Sequence, residues 1–260
     1  MTAALRGTGR LLLGLAASLA VVAALWIALL EIFNVSAYIG KGPADVFSYL
    51  VLDADAGANQ ALVLAELGHT LLDAGMGFAA GMAAALLTAT LFTLFRGVEQ
   101  ALMPLAMLLR SVPLVALAPM IILIFGRGQV TVAAMGGIVV FFPALVTIVV
   151  GLRSASPVML EVIQVYGGSR WDAFRRVALP SSAPAFFTAL RVSIPGALTG
   201  ALLAEWLATG QGIGYGIVSA VSRARYDYVW AAVVAVTLAS ILLYALVAAV
   251  EAAVKRRAGV

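Results

Sequence analysis

Residues 153–180 read RSASPVMLEVIQVYGGSRWDAFRRVALP, the only long polar-decorated segment set between apolar blocks of the chain. The pattern predicts two short helices joined at a glycine pair. Ser156 is placed to N-cap a helix that begins with Pro157, where a missing N–H costs nothing, and Gly167 or Gly168 is placed to end it in the left-handed conformation. Ser169 then restarts a helix, with Asp172 three residues on as a shorter relative of the capping-box glutamate, and Pro180 is expected to close the unit after Leu179. Met159, Val162, Ile163 and Tyr166 fall at i, i+3, i+4 and i+7, so the first helix shows one apolar face, which Trp171, Phe174 and Val177 continue on the second. Such a stripe either packs on the protein's own helix ends or is offered to a partner.

The surrounding chain says where that unit belongs. Of 260 residues, 63% are hydrophobic and 11% charged, and the mean hydropathy is +1.09, far from the roughly one-quarter charged residues of a soluble domain. This composition describes an all-α, polytopic integral membrane protein. The absence of cysteine excludes a disulfide framework, a thiolate nucleophile and a cysteine-ligated metal. A pI of about 9.7 is compatible with nucleic-acid binding, but the basic residues are scattered at the ends of apolar runs and form no patch with interleaved aromatics, so no nucleic-acid partner is expected.

The apolar runs predict about six spans in a single transmembrane domain over 1–260. Arg6 and Arg10 precede a run from Leu11 to about Phe33, longer than the roughly 7–15 residues of a signal-peptide core and close to the roughly 20 of a span, so with Met1 present it reads as a retained first helix. Residues 34–68 form the most polar connection, expected as an outer loop. The second span, about His69 to Phe95, is rich in small residues (Gly75, Gly77, Gly81, the alanines at 83–85) that let helices approach closely. The third, about 100–125, holds Pro104, Pro113 and Pro119 around Arg110 and is expected to be kinked or broken. The fourth covers about 130–151 and leads into the 153–180 unit. A fifth runs from Pro184 to about Thr209, followed by a glycine-rich outer loop (GQGIGYG) and SRARYDY, and a sixth covers about 229–250.

Lysine and arginine counts orient this arrangement. The predicted inner segments carry Arg6, Arg10, Arg96, Arg153, Arg170, Arg175, Arg176, Lys255, Arg256 and Arg257, and the outer ones only Lys41, Arg127, Arg223 and Arg225. The bias places both termini and the 153–180 unit in the cytoplasm. No GxxxxGK[ST] loop occurs, so any energy from ATP must come from another chain.

Glu161, Gly167, Phe174, Val177, Leu179 and Pro180 together resemble the EAA motif of the permease subunits of bacterial ABC importers. Arg110-Ser-Val-Pro113, Leu117-Ala-Pro119, Phe125-Gly126-Arg-Gly128, Ala204-Glu205 and Gly212-Ile-Gly214-Tyr215 are similar to the branch serving nitrate, sulfonate, taurine and related small solutes, and the resemblance covers roughly residues 65–230. The chain departs from the pattern at Val162 and Ile163, which replace the two alanines, and at Gly168, where alanine is common. The resemblance implies a permease of the bacterial cytoplasmic (inner) membrane, with a path for a small solute such as a sulfonate, nitrate, taurine or a similar organic anion. It implies a cytoplasmic coupling unit, about 153–180 between spans four and five, seated on a separate ATPase. On that reading Met159, Val162, Ile163, Tyr166, Trp171 and Phe174 supply the apolar contact and Glu161 meets a polar or basic rim. Gly167 and Gly168 permit the turn, and Pro180 ends the unit.

The implied partners are two ABC-type ATPase subunits using ATP and Mg, a second permease copy as a homodimer, an external substrate-binding protein or lipoprotein, and the lipid bilayer. No cofactor is expected on this chain itself. Candidate path residues are Arg110, Pro113, Pro119 and Glu205. Arg110 alternatively fixes a kink by binding freed carbonyls, and Glu205 alternatively has a structural role near the outer edge. Arg191 is expected to snorkel to the interface. His69 and Asp73 sit at the outer end of the second span, where a lone His reads as a satisfied interfacial residue, so no metal site is expected, and no His, Cys or paired-carboxylate constellation suggests an enzyme. The competing reading is an ion-coupled secondary transporter, which should carry paired ionisable residues at mid-membrane and an inverted repeat with matching broken helices. Only one strongly broken span is evident. A membrane scaffold without transport, using the stripe as a docking face, is a third possibility.

Overall fold

The computed structural model describes the backbone of residues 2–258 and the side chains of residues 17–256, so Met1 and the side chains of Arg6, Arg10 and Arg257 lie outside the described residues. Every regular element among the described residues is helical. Among them four helices are long and apolar enough to cross a membrane: Ala56–Leu94, Gln129–Arg153, Ala183–Thr209 and Tyr226–Arg256. A pair bent by 105°, Arg96–Arg110 followed by Leu114–Phe125, is apolar enough to add either a broken span or a re-entrant loop. These correspond to predicted spans two to six. The predicted first span falls in α1 (Thr2–Ile32), whose described apolar part is Ala17–Ile32.

The chain divides into two compact units. The first, Met1–Leu64 with Ser219–Val233, contains α1 and the predicted polar loop. That connection is in fact largely helical: α2 (Pro43–Phe47) runs into a π-helical turn at Ser48–Leu52, and α3 (Ala56–Leu94) begins thirteen residues earlier than the predicted second span. The local cause is visible at Gly42-Pro43-Ala44-Asp45, where Pro43 opens the helix and the Asp45 carboxylate accepts the Gly42 N–H at 2.7 Å. Within this unit Trp26 stacks on Trp230 at 5.3 Å, Trp230 donates its indole N–H to the Ile39 carbonyl, and Lys41 pairs with Asp227 at 3.2 Å.

The second unit, Ala65–Val218 with Val234–Val260, holds the core. Here α3, α6 (Gln129–Arg153) and α10 (Ala183–Ala204) meet backbone to backbone. A Cβ on Gly77 would stand 2.7 Å from the Cα of Gly136, and one on Gly200 would stand 2.6 Å from that same Cα, so three glycines from three helices share one point. Gly81 adds a second contact, where a Cβ would come 2.5 Å from the Gly137 carbonyl oxygen. In lipid, helices gain little from leaving an apolar solvent, so association rests on van der Waals contact that only small residues make this close. Gly75, expected to serve likewise, faces open space.

The third predicted span breaks at one proline of three. α4 (Arg96–Arg110) and α5 (Leu114–Phe125) contain Pro104 and Pro119 without interruption, and the bend falls at Ser111–Pro113. Pro113 is extended, and both the Ser111 N–H and its hydroxyl return to the Leu108 carbonyl, which satisfies the end of α4.

Candidate functional site

The 153–180 unit is built largely as its residues dictate. Pro157 opens α7 (Pro157–Val165) behind an extended Ser156, although the Ser156 hydroxyl makes no capping bond. At the other end Gly167 takes φ +77°, its N–H donates to the Gln164 carbonyl and the Gly168 N–H to that of Ile163, the paired bonds of a Schellman stop. The second glycine is needed for space: a Cβ on Gly168 would lie 2.8 Å from the Ile163 carbonyl oxygen. Ser169 then caps α8 (Arg170–Ala173) reciprocally, accepting the Asp172 N–H at 3.2 Å while Asp172 accepts the Ser169 N–H at 2.9 Å and its hydroxyl at 2.5 Å. These hydrogen bonds hold the Asp172 carboxyl below the usual range, so the cap is intact at neutral pH and is lost only as acid protonates that group.

A π-helical turn, Phe174–Ala178, carries the chain back into the core, burying Phe174, Val177 and Ala178. Pro180 does not end the unit as expected. It lies in α9 (Leu179–Ser181) directly after the π turn, at a helix start where its missing N–H is tolerated, and the chain passes through Ser182 into α10. The predicted stripe is split. Ile163, with Leu160, turns inward onto the core, whereas Met159, Val162 and Tyr166, joined by Val158 and Val165, face outward; Tyr166 is 88% exposed. Glu161 is exposed among them, and Trp171, 52% exposed, stacks on the buried Phe174 at 5.4 Å. An exposed apolar ridge is thus mounted on a base whose turn, cap and inner anchor are each fixed.

The candidate path residues do not form one cluster. Arg110, Pro113 and Pro119 are exposed at and beyond the α4–α5 bend, Arg110 in the last turn of α4 where a cation suits the helix dipole. Glu205 is fully buried at the end of α10 and accepts the Gly214 N–H at 2.7 Å. The GQGIGYG segment is a helix, α11 (Gly212–Ser222), entered through the left-handed Gly210 and Gly212. Among the described residues no group of His, Cys, Asp or Glu is placed to hold a metal.

Residues 77–259 match the model of the binding-protein-dependent transport system inner membrane component family. The chain belongs to that family. It is 29% identical over 221 residues to a probable ABC transporter permease protein of Haemophilus influenzae, covering 83% of this chain and 89% of that one. It is 35% identical over 105 residues to the riboflavin transport system permease protein of Chloroflexus aurantiacus (40% and 39% covered) and 26% identical over 184 residues to a putative aliphatic sulfonates transport permease protein of Bacillus subtilis (70% and 64% covered). A solved amino acid ABC transporter with histidines shares the fold at TM-score 0.56 and 14% identity, covering 77% of this chain and 96% of that one.

Several polar anchors of the permease escape a reading by sequence spacing. Glu99, buried in the first turn of α4, pairs with Arg153, which ends α6 and opens the 153–180 unit. Arg191, expected to reach the interface, has partners within the protein. It pairs with the buried Glu251 of α12 (Tyr226–Ala258) at 2.9 Å and lies over the Tyr244 ring, while Lys255 holds the second Glu251 oxygen at 2.7 Å. Thr70, fully buried, accepts the Ile213 N–H at 3.0 Å. The only hint in sequence was that Glu99, Glu251 and Arg191 are charges within or beside apolar runs, which in a bilayer implies partners. Because the Arg153 side chain is 61% exposed, Glu99→Gln should cost only about 1 kcal/mol. Arg153→Glu should lower the thermal midpoint further, and the Glu99→Lys, Arg153→Glu double reversal should recover part of the loss in a double-mutant cycle.

Proposed function

We propose that the permease is the membrane-spanning half of an ATP-driven importer, and that residues 153–180 couple it to a separate ATP-hydrolysing subunit on the cytoplasmic side. The observation that carries this reading is the ridge of Val158, Met159, Val162, Val165 and Tyr166, exposed on a helix whose opposite face is anchored in the core. An apolar ridge ringed by Glu161 and Gln164 has the make-up of a protein interface, with an apolar centre and polar rim, and the local supports hold it in one orientation before any partner arrives. Two permease copies would meet two ATPases that use ATP and Mg, and an external binding protein would deliver a small organic anion of the sulfonate kind. The sulfonate relative supports that solute class. Both termini and the coupling unit then lie in the cytoplasm, as the arginine and lysine bias implies.

The reading is tested by tagging the C-terminus, purifying the chain from its own host in mild detergent and identifying what remains bound by mass spectrometry. An ABC-type ATPase in about equal amount is the expected result. The Met159→Asp, Val162→Asp double variant should lose it while still entering the membrane, because two carboxylates at a dry contact leave charges unpaired. No ATPase even after crosslinking through residues 153–180 would overturn the proposal and leave an ion-coupled carrier as the reading to test.

A further inference from the structure

The end of α10 and the start of α11 form a cradle that the coupling mechanism leaves unused. α10 finishes in a π-helical turn, Glu205–Thr209, with Glu205 fully buried at its head. Glu205 Oε2 accepts the Gly214 N–H at 2.7 Å, and Thr70 of α3 accepts the Ile213 N–H at 3.0 Å while donating to the Glu66 carbonyl at 3.1 Å. Two of the N–H groups that a helix start leaves without partners are therefore held by side chains of two other helical segments. The fit allows no bulk. A Cβ on Gly212, already at φ +79°, would fall on the Glu205 carboxylate, one on Gly214 would strike the Leu202 carbonyl, and Ile213 between them is fully buried.

One feature of the cradle is under-satisfied: Glu205 Oε1 is buried with no close donor, the neighbouring Thr70 hydroxyl being directed to the Glu66 carbonyl. A buried carboxylate oxygen left unpaired is costly, so this oxygen gains whenever α11 withdraws and water or a second donor reaches it. α11 is apolar, is far shorter than the roughly 20 residues a span needs, and lies in the chain between two membrane-spanning helices, which makes it a flap rather than a crossing. π-helical turns such as the one bearing Glu205 also concentrate at functional positions.

We propose that Glu205 and Thr70 form a latch on the first turn of α11, closed in this structure and released during the transport cycle. Glu205 is then a positioning residue of a gate and not a ligand for the solute. The proposal rests on the transport reading above, and its test is arranged to separate the two.

Because the chain contains no cysteine, Ile213→Cys provides a single thiol at the buried centre of the latch. Its labelling by a maleimide dye is measured on the purified complex in nanodiscs, with both faces accessible. Labelling should be slow in this parent and about tenfold faster with Glu205→Ala or Thr70→Val, the ratio expected for one lost hydrogen bond. Glu205→Gln, which keeps an acceptor for the Gly214 N–H, should stay near the parent rate. With the ATPase bound, ATP and Mg should accelerate labelling of the parent several-fold and leave the Glu205→Ala rate, already open, unchanged; a purely structural anchor would give no such response. Should Glu205→Ala fail to fold, Thr70→Val carries the comparison, since it removes only a hydroxyl and keeps the volume. Equal rates in the parent and the anchor variants, or a parent rate indifferent to ATP while the bound ATPase hydrolyses it, overturn the latch and leave the importer standing. A complex that contains no ATPase overturns the importer reading, while the rates without ATP still decide whether Glu205 and Thr70 hold α11.

Discussion

Gly200→Leu should leave almost no folded permease. A Cβ at that position stands 2.6 Å from the Cα of Gly136 and 3.3 Å from the Met135 carbonyl oxygen, and both are backbone atoms of α6 that cannot rotate aside. Gly77 meets the same Gly136 Cα, so moving α6 away from α10 disturbs its backbone contact with α3 as well. Ordinary overpacking costs about 1–3 kcal/mol; here the displaced groups are two helix backbones and the remaining side chain must follow the Cβ, so the cost should reach or exceed the upper end. Against a total stability of about 5–15 kcal/mol this is enough to deplete the native state. The comparison is Gly75→Leu, also in a helix of the same unit but facing open space, which should be neutral or slightly stabilising because leucine favours a helix over glycine by roughly 0.5–1 kcal/mol. Yield of monodisperse protein and thermal midpoint in detergent decide it. A Gly200→Leu chain as stable as Gly75→Leu would mean that the three helices are not in backbone contact.

The second large effect is expected at Gly167, and it should spare folding. Gly167 has φ +77° with nothing within 4 Å of the place a Cβ would occupy, so a substitution there is opposed by backbone conformation and not by crowding. A β-branched residue in that region costs about 1–3 kcal/mol, and the cheapest relief is to unwind the last turn of α7, releasing the Gly167 and Gly168 bonds to Gln164 and Ile163. Met159, Val162 and Tyr166 then lose their fixed bearing. Gly167→Val should therefore insert normally yet bind the ATPase at least about tenfold more weakly, as a loss of about 1.4 kcal/mol dictates, and uptake should fall with it. Gly167→Asn, which tolerates the left-handed region, should recover much of the binding. Undiminished ATPase binding by Gly167→Val would show that the ridge does not depend on this turn.

The 153–180 unit shows how far local chemistry was legible. The glycine stop, the Ser169 and Asp172 cap and the helix start at Pro157 all followed from residues within a few positions of one another, and all are present. Of the expectations that failed there, the Ser156 hydroxyl makes no capping bond, and the other two, an end at Pro180 and a single undivided stripe, concern how the unit meets the core. Spacing at i, i+3, i+4 and i+7 describes a face wide enough to be shared, and only packing decides that Ile163 takes the inner edge and Val165 the outer. The same limit misread GQGIGYG as a loop. Glycine lowers helix propensity locally, and the compensation comes from Thr70, 143 residues from the Ile213 N–H it accepts.

The sequence by itself determined that this is a multi-pass helical membrane protein of the binding-protein-dependent transport family, because span length, hydropathy and a short motif are properties of neighbouring residues. Tertiary structure alone decided which of the glycines are contacts, which carboxylates find partners, and which side of α7 is left bare. Those outcomes depend on pairs as distant as Glu99 with Arg153 or Gly77 with Gly136, and no periodicity along a chain encodes which helix will lie beside which.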